Sequence, residues 1–252
     1  RRRARPQSFS RALNHSPRAL VVVPARRASM RLPNKLLLAE SGQPVLSHTL
    51  KQCLKSGADR VIAAVDCPEL ASIAEKAGAV AILTDPALPS GSDRVWAAAQ
   101  EFADAEFVIN VQGDEPEIDP GAIDAVLTSL ESGCDVTTLA APLDPEFLHD
   151  SAAVKVVSRP DGRALYFSRA ALVDARLHIG LYGYSRQALG QFAGHSPTPL
   201  ELAERLEQLR FLEMGFDIQV LDWPHAFPGI DTRVDYDHFL QRIASAPSHP
   251  HD

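Results

Sequence analysis

With 252 residues, 45% hydrophobic and 23% charged, the chain is long enough for one large domain, and no apolar run approaches the roughly 18 residues of a membrane span. Three scattered cysteines (Cys53, Cys67, Cys134), with no CxxC spacing and no matching histidine cluster, argue against a disulfide frame and a zinc site and fit a reducing, cytoplasmic setting. The net charge of −7 is uneven: residues 1–20 hold six arginines and no acid, which leaves −13 on residues 21–252, a poor balance for nucleic-acid binding.

The basic head, "RRRARPQSFSRALNHSPRAL", is rich in Arg and Ser and lacks periodic apolar residues. A transit peptide has this composition. A disordered extension over residues 1–19 is the preferred expectation, and the head is left out of the fold.

From Leu20 onward short apolar runs alternate with amphipathic ones. "ALVVVPA" reads as a β-branched strand, and "PVLSHTLKQCLKSG" puts Val45, Leu46, Thr49, Leu50 and Cys53 on one helical face. "RVIAAVD" is a strand, and "CPELASIAEKAG" a helix with Pro68 at its start and Gly78 at its end. "AVAILTD", "SDRVWAAAQEF", "EFVINVQ", "DPGAIDAVLTSLESG" and "DVTTLAAP" continue the alternation. Such βα repetition predicts an α/β fold with a mostly parallel sheet and helices on both faces.

After about residue 150 the pattern changes. "AVKVVSR", "RALYFSR" and "HIGLYGYS" are strands without long helices between them, so an inserted antiparallel portion is expected over about 150–190. "TPLELAERLEQLRFLEMG" predicts one long helix, capped by Thr198 and stopped at Gly215. "DIQVLDW" is a strand, "DYDHFLQRIAS" a closing helix, and residues 246–252 a loose tail. The expectation is a single α/β domain over residues 20–245, with Trp96 and Trp223 in the core.

Ligands of open α/β sheets sit beyond the carboxyl ends of the strands. "VPARRASMRLPNK" follows the first strand with Arg26, Arg27, Arg31 and Lys35 but has neither GxGxxG nor GxxxxGK[ST], so it fits neither a dinucleotide fold nor a P-loop. Guanidinium forks and an ammonium suit a triphosphate, whereas a generic basic loop would be solvated. "PSGSDR" is by itself an ordinary helix start, capped by Ser92. "VINVQGDEP" leaves its strand in Gly113 and Asp114, with Glu115, Glu117 and Asp119 behind. Mg2+ takes one or two carboxylates plus phosphate oxygens. A second acid is therefore expected: "PGIDTRVDYDHF" offers Asp231, while Asp235 and Asp237 look like helix-start acids. Glu115, Glu117 and Asp119 are assigned turn and helix-start roles, with Asp119 as a cap.

The stretches "VVVPARRASMRLPNK", "PSGSDR", "VINVQGDEP", "ALYFSRA", "HIGLYGY", "LELAERLEQLR" and "GIDT" stand in one family's order and spacing. The chain resembles the 3-deoxy-manno-octulosonate (Kdo) cytidylyltransferases, or CMP-Kdo synthetases, from about Leu20 to Ile243. The resemblance implies Mg2+-dependent homodimers with a nucleotidyltransferase core that join CTP to a 2-keto-3-deoxy sugar acid. It implies that Arg26, Arg31 and Lys35 hold and activate the triphosphate. Pro24, Ala25, Asp66, Ser90, Gly91 and Arg94 would complete the nucleotide pocket. Gln112 and Asp114 would meet sugar and metal, and Asp231 would be the second metal ligand. Arg169, His178, Tyr182, Glu207 and Gln208 match the sugar-acid site.

Taken alone, His178 would be an ordinary core or edge histidine, Glu204 and Glu207 a solvated face, and Tyr166 and Phe167 strand packing. The chain departs from the family after "ALYFSR", where "AALVDARL" replaces a longer loop before "HIGLYGY". That departure leaves room for an 8-amino Kdo or a sialic-type acid. A non-catalytic nucleotide-binding homologue is the alternative of another class.

Overall fold

A computed structural model describes residues 18–88 and 90–245. The expected tail at 246–252 and residues 1–17 of the basic head lie outside the described residues. The head's expected boundary at residue 19 shifts, because Ala19 already belongs to the first strand and the Arg18 and Ala19 amides both donate to Asp59.

The first half builds four parallel strands: β1 (Ala19–Ala25), β2 (Arg60–Val65), β3 (Val80–Leu83) and β4 (Phe107–Asn110). Helices α1 (Val45–Cys53), α2 (Pro68–Ala77) and α3 (Gly91–Ala99) connect them. Then come α4 (Pro120–Glu131), β5 (Val136–Ala141), β6 (Lys155–Ser158), β7 (Ala164–Ser168) and β8 (Arg176–Ser185). The chain closes with α5 (Arg186–Ala193), α6 (Pro199–Glu204), α7 (Gln208–Glu213), β9 (Ile218–Asp222) and α8 (Arg233–Ser245). The sheet runs β3-β2-β1-β4-β8-β5-β9, with β6 paired to the start of β8 and β7 paired to β6. The α/β expectation holds, and the antiparallel portion is not peripheral: β8 lies antiparallel between β4 and β5 in the middle of the sheet.

Covering both faces explains why β1 is apolar at nearly every position. Val21 and Val23 face a core filled by Leu46 and Leu50 of α1, Val126 of α4 and Phe239 of α8. Leu20 and Val22 face the other, with Val95 of α3, Leu189 of α5 and Phe211 of α7. Each such fully buried side chain contributes about 1.5–3 kcal/mol.

Two local expectations are corrected. Ser90, not Ser92, caps α3: its hydroxyl oxygen accepts the Asp93 amide at 3.1 Å and the hydroxyl donates to Asp93 Oδ2 at 2.7 Å. The helix expected from Thr198 to Gly215 is broken at Arg205, which is left-handed (φ 57°, ψ 47°). The break lets Arg210 reach back to Glu201, with Nε to Oε2 at 2.7 Å. A continuous helix would set those residues about 13 Å apart along its axis. Glu201 also accepts the Thr198 amide, and Arg210 donates to the Phe192 and His195 carbonyls. Both side chains are buried, so their partners have to be supplied inside the protein.

Candidate active site

Val22 of β1 pairs with Asn110 of β4, so the loops that leave both strands emerge side by side at the carboxyl edge of the sheet. Gly113 keeps this approach close, since a Cβ would lie a tight 3.1 Å from the Pro24 carbonyl oxygen. Thr49 donates to the Gly113 carbonyl at 2.9 Å and fixes the turn. Asn34, left-handed at φ 56°, starts the short turn Lys35–Leu37 that presents Lys35 to the same place. The chain's far end closes the group: the Ile230 amide donates to the Asp114 carbonyl at 2.9 Å, tying the Asp231 turn to the Asp114 turn.

Lys35 therefore lies between two carboxylates. Its ammonium contacts Asp114 Oδ2 and lies 2.9 Å from Asp231 Oδ1, while Arg31 reaches Asp231 Oδ2 at 3.0 Å. Burial acts to lower the Lys35 pKa, but the two aspartates outweigh it and the pKa is raised. Pro24, Arg26 and Gln112 line the same cavity, of about 260 Å³. Asp235 and Asp237 do not join it. Asp235 accepts from the Asp231 and Thr232 amides and the Thr232 hydroxyl, and Asp237 pairs with Arg233. Among the described residues no group of three or more His, Cys, Asp or Glu could hold a metal. A metal would have two carboxylates here and would draw its other ligands from a substrate. The arrangement fits Mg2+, because both carboxylates already converge on one cation and are hard oxygen donors.

Arg26 and Gln112 also line a second cavity, of about 580 Å³, so the two spaces share a wall. Gly91, His178, Tyr182, Glu207 and Gln208 all line this larger space. Antiparallel β8 brings in His178 and Tyr182, with Tyr182 opposite Asn110. His178 lies 3.1 Å from the Thr138 hydroxyl, and burial lowers its pKa to about 3, so the ring is neutral. The Tyr182 hydroxyl is buried beside Thr138, and burial raises its pKa. The break at Arg205 delivers Arg205, Glu207 and Gln208 to the cavity, so Glu207 is not on a solvated face. Glu204 is engaged as well, accepting from the Tyr166 and Ser168 hydroxyls and the Arg169 amide.

Other candidates stand back from both cavities. Asp66 accepts the Arg27 amide and so holds the loop after β1, while the Arg27 guanidinium turns to Glu69 at 3.3 Å. Ala25 is buried at the end of β1, and Ser90 is spent on its cap. Arg94 is fully buried; it donates to the Thr84 hydroxyl, and its Nε and Nη2 meet no partner among the described residues. The Arg169 guanidinium donates to the Ser151 and Ala152 carbonyls.

Nothing in the sequence marks Glu115 as lining a cavity, while Glu117 stands in a turn as expected. Glu117 pairs with Arg242 of α8. Glu115 lines the larger cavity, and its Oε2 is enclosed without a partner among the described residues. Burial first, then the neighbouring Asp114 charge, raises its pKa to about 8. Asp119 caps α4 as expected, accepting the Gly121 amide at 2.8 Å.

Comparison with known proteins gives a consistent result. The family described as cytidylyltransferase matches residues 20–218. A 3-deoxy-manno-octulosonate cytidylyltransferase of Anaeromyxobacter sp. (strain Fw109-5) is 42% identical, over 91% of this chain and 98% of its own. That of Rhodopirellula baltica is 44% identical, over 90% and 99%. The solved structure of a CMP:2-keto-3-deoxy-manno-octonic acid synthetase complexed with CTP is 31% identical, covers 90% of this chain and 98% of its own, and superposes with a TM-score of 0.86. A Leptospira borgpetersenii cytidylyltransferase, 16% identical with a TM-score of 0.62, shares the fold. The chain belongs to the 3-deoxy-manno-octulosonate cytidylyltransferase family.

Proposed function

We propose that this protein transfers CMP from CTP to the anomeric hydroxyl of a 2-keto-3-deoxy sugar acid, Kdo or a close analogue, and releases pyrophosphate. The observation that carries the reading is the Lys35–Asp114–Asp231 cluster beside a larger cavity of mixed polar and apolar lining, with Arg26 and Gln112 on the wall between them. The sugar oxygen attacks the α-phosphorus, the bond to the β-phosphate oxygen breaks, and the hydroxyl proton is lost. Charge builds on phosphate oxygens, so positioning and cationic stabilisation supply most of the acceleration. Arg26, Arg31 and Lys35 provide fixed positive charge at the phosphate end. Gln112 stands at the junction, and His178, Tyr182, Glu207 and Gln208 surround the sugar end. Asp114 and Asp231 would hold Mg2+, whose bound charge neutralises phosphate oxygens and polarises the α-phosphorus.

Asp114→Asn tests this assignment. It keeps the shape but removes one carboxylate, and CTP-dependent pyrophosphate release with Kdo should fall at least about a hundredfold, the usual size of losing a main electrostatic group. Near-normal turnover with unchanged Mg2+ dependence would refute it.

The shortened segment between Arg169 and His178 favours a second reading within the same chemistry. It places Val173, 92% exposed, and left-handed Asp174 where the family has a longer loop. An 8-amino Kdo or a nine-carbon acid is the corresponding substrate, and a panel of 2-keto acids distinguishes them by kcat/KM. We also infer a homodimer. Exposed Leu165 on β7 and Leu200 and Leu202 on α6 support apolar contact between two copies, and sedimentation equilibrium would report it.

A further inference from the structure

One wall of the larger cavity is a short stretch of chain without polar side chains. Ala152, Ala153 and Val154 line it, and none carries a polar side chain. Behind this wall two cations take up the carbonyls of four consecutive residues. The Lys155 ammonium donates to Asp150 O at 2.6 Å and Ala153 O at 2.8 Å, and also to Arg169 O at 2.7 Å. Arg169 Nη1 donates to Ser151 O at 3.0 Å and Ala152 O at 3.4 Å. Lys155 is 0% exposed, and its three hydrogens are all used on carbonyls. A fully buried ammonium is expensive to desolvate, and solvation by carbonyls alone is a specific arrangement.

The arrangement fixes the opposite side of the same peptides. No peptide bond among the described residues is cis, so each amide N–H points away from the carbonyl of the residue before it. With the Ala152 and Ala153 carbonyls drawn back onto the cations, the Ala153 and Val154 amides are turned toward the cavity side. The Ala152 amide is taken by Asp150 Oδ1 at 2.8 Å, whereas those of Ala153 and Val154 meet no acceptor among the described residues. Successive free amides on a concave wall make a seat for an anion. The seat adjoins the sugar side of the site, since the His178 amide donates to the Val154 carbonyl at 2.9 Å. The phosphate end is served separately by Arg31 and Lys35.

We propose that the Ala153 and Val154 amides receive the carboxylate of the sugar acid, and that Lys155 is the positioning residue that holds them there. This rests on the function proposed above and specifies how its acid substrate is recognised. Lys155 cannot touch the substrate, so its effect is exerted through the backbone it shapes. The carboxylate exchanges water for two fixed N–H donors, each of which would otherwise face the cavity unpaired.

The test compares the wild type, Lys155→Met and Ala153→Pro, the last of which deletes one of the two N–H groups. The measurements are kcat, KM for CTP, KM for Kdo, melting temperature, and competition by Kdo against its neutral carboxamide. The wild type should prefer the acid about tenfold or more, the size of a hydrogen bond to a charged group. In either variant KM for Kdo should rise by about the same factor and the preference should shrink, while KM for CTP holds. A folded variant with unchanged KM for Kdo overturns the proposal. If Lys155→Met does not fold, Ala153→Pro gives the answer. A wild type that binds the carboxamide as well as the acid overturns it without any variant. A wild type that turns over no sugar acid with CTP refutes instead the proposed function.

Discussion

His178 shows why identity in the sequence and state in the protein are separate questions. The stretch "HIGLYGY" marks it as a site candidate, but only the fold shows a ring enclosed by Phe167 and Tyr182, with its pKa lowered to about 3 by burial. Below the ordinary imidazole value near 6.5, the unfolded chain binds a proton that the folded ring refuses, so this group removes stability as pH falls from about 6.5 toward 3. Glu115 acts in the opposite direction. Its pKa is raised to about 8, so the folded protein keeps a proton that the unfolded chain releases above about 4.5, and stability is lost as pH rises toward 8. His178→Asn should therefore flatten the acid side of a plot of urea midpoint against pH between 6.5 and 4. The gain would be a fraction of the ~1.4 kcal/mol per pH unit of a full proton, because the ring keeps part of its surface open to the cavity. A variant curve parallel to the wild type over that range would refute the assignment. Glu115 was not readable in advance. In "QGDEP" it looks like one more acid in a turn, and its burial comes from β8 packing over it, with Gly180 beside Glu115 Oε1.

Helix periodicity locates elements better than it locates their breaks. The 3.6-residue pattern over 198–214 is genuine, since Leu206, Leu209 and Phe211 are all buried, yet the sequence has no glycine or proline at Arg205 to mark the turn. The cause is the long-range pair Glu201–Arg210, and a pair nine residues apart is invisible to a helical template. Removing the charge from one member while the other stays buried costs about 3–5 kcal/mol. Glu201→Gln should therefore lower the melting temperature by several degrees, and it should also raise KM for the sugar acid, because Arg205, Glu207 and Gln208 lose their anchor. A loss of stability with an unchanged sugar KM would separate the break from the site. Gly183 sets a second constraint between elements. A Cβ there would lie 2.4 Å from Val126 Cγ1 and 2.8 Å from Leu130 Cδ1, so α4 packs directly on the β8 backbone. Gly183→Ala should cost about 1–3 kcal/mol of unfolding free energy, the range for overpacking. An unaltered urea midpoint would show that α4 can retreat at no cost.

The parallel half of the sheet follows from the βα rhythm because each βα unit is local in sequence. The position of β8 does not follow from it: pairing with both β4 and β5 joins residues 107–110 and 136–141 to 176–185, and that register is set by packing across the whole molecule. The proposed phosphate end of the site therefore rests on two strand-exit motifs. The proposed sugar end rests on the family resemblance, and its wall at 152–154 carries no polar side chain that a sequence could flag. Charge belongs to the same level of description. The chain beyond residue 20 carries −13, yet its proposed substrates are a triphosphate and a sugar acid, so attraction has to come from the few cations at the mouth, of which Arg31 is exposed. At 0.1 M salt the screening length is about 10 Å, which spans the Arg26–Lys35 loop but not the diffuse acidity of a 252-residue body. Local attraction then outweighs distant repulsion. KM for CTP should rise as potassium chloride is increased from about 0.05 to 0.5 M, and Arg31→Gln should both raise KM and weaken that dependence. If KM fell with salt, the acidic body would be the dominant field, and the loop cations would act only after CTP has docked.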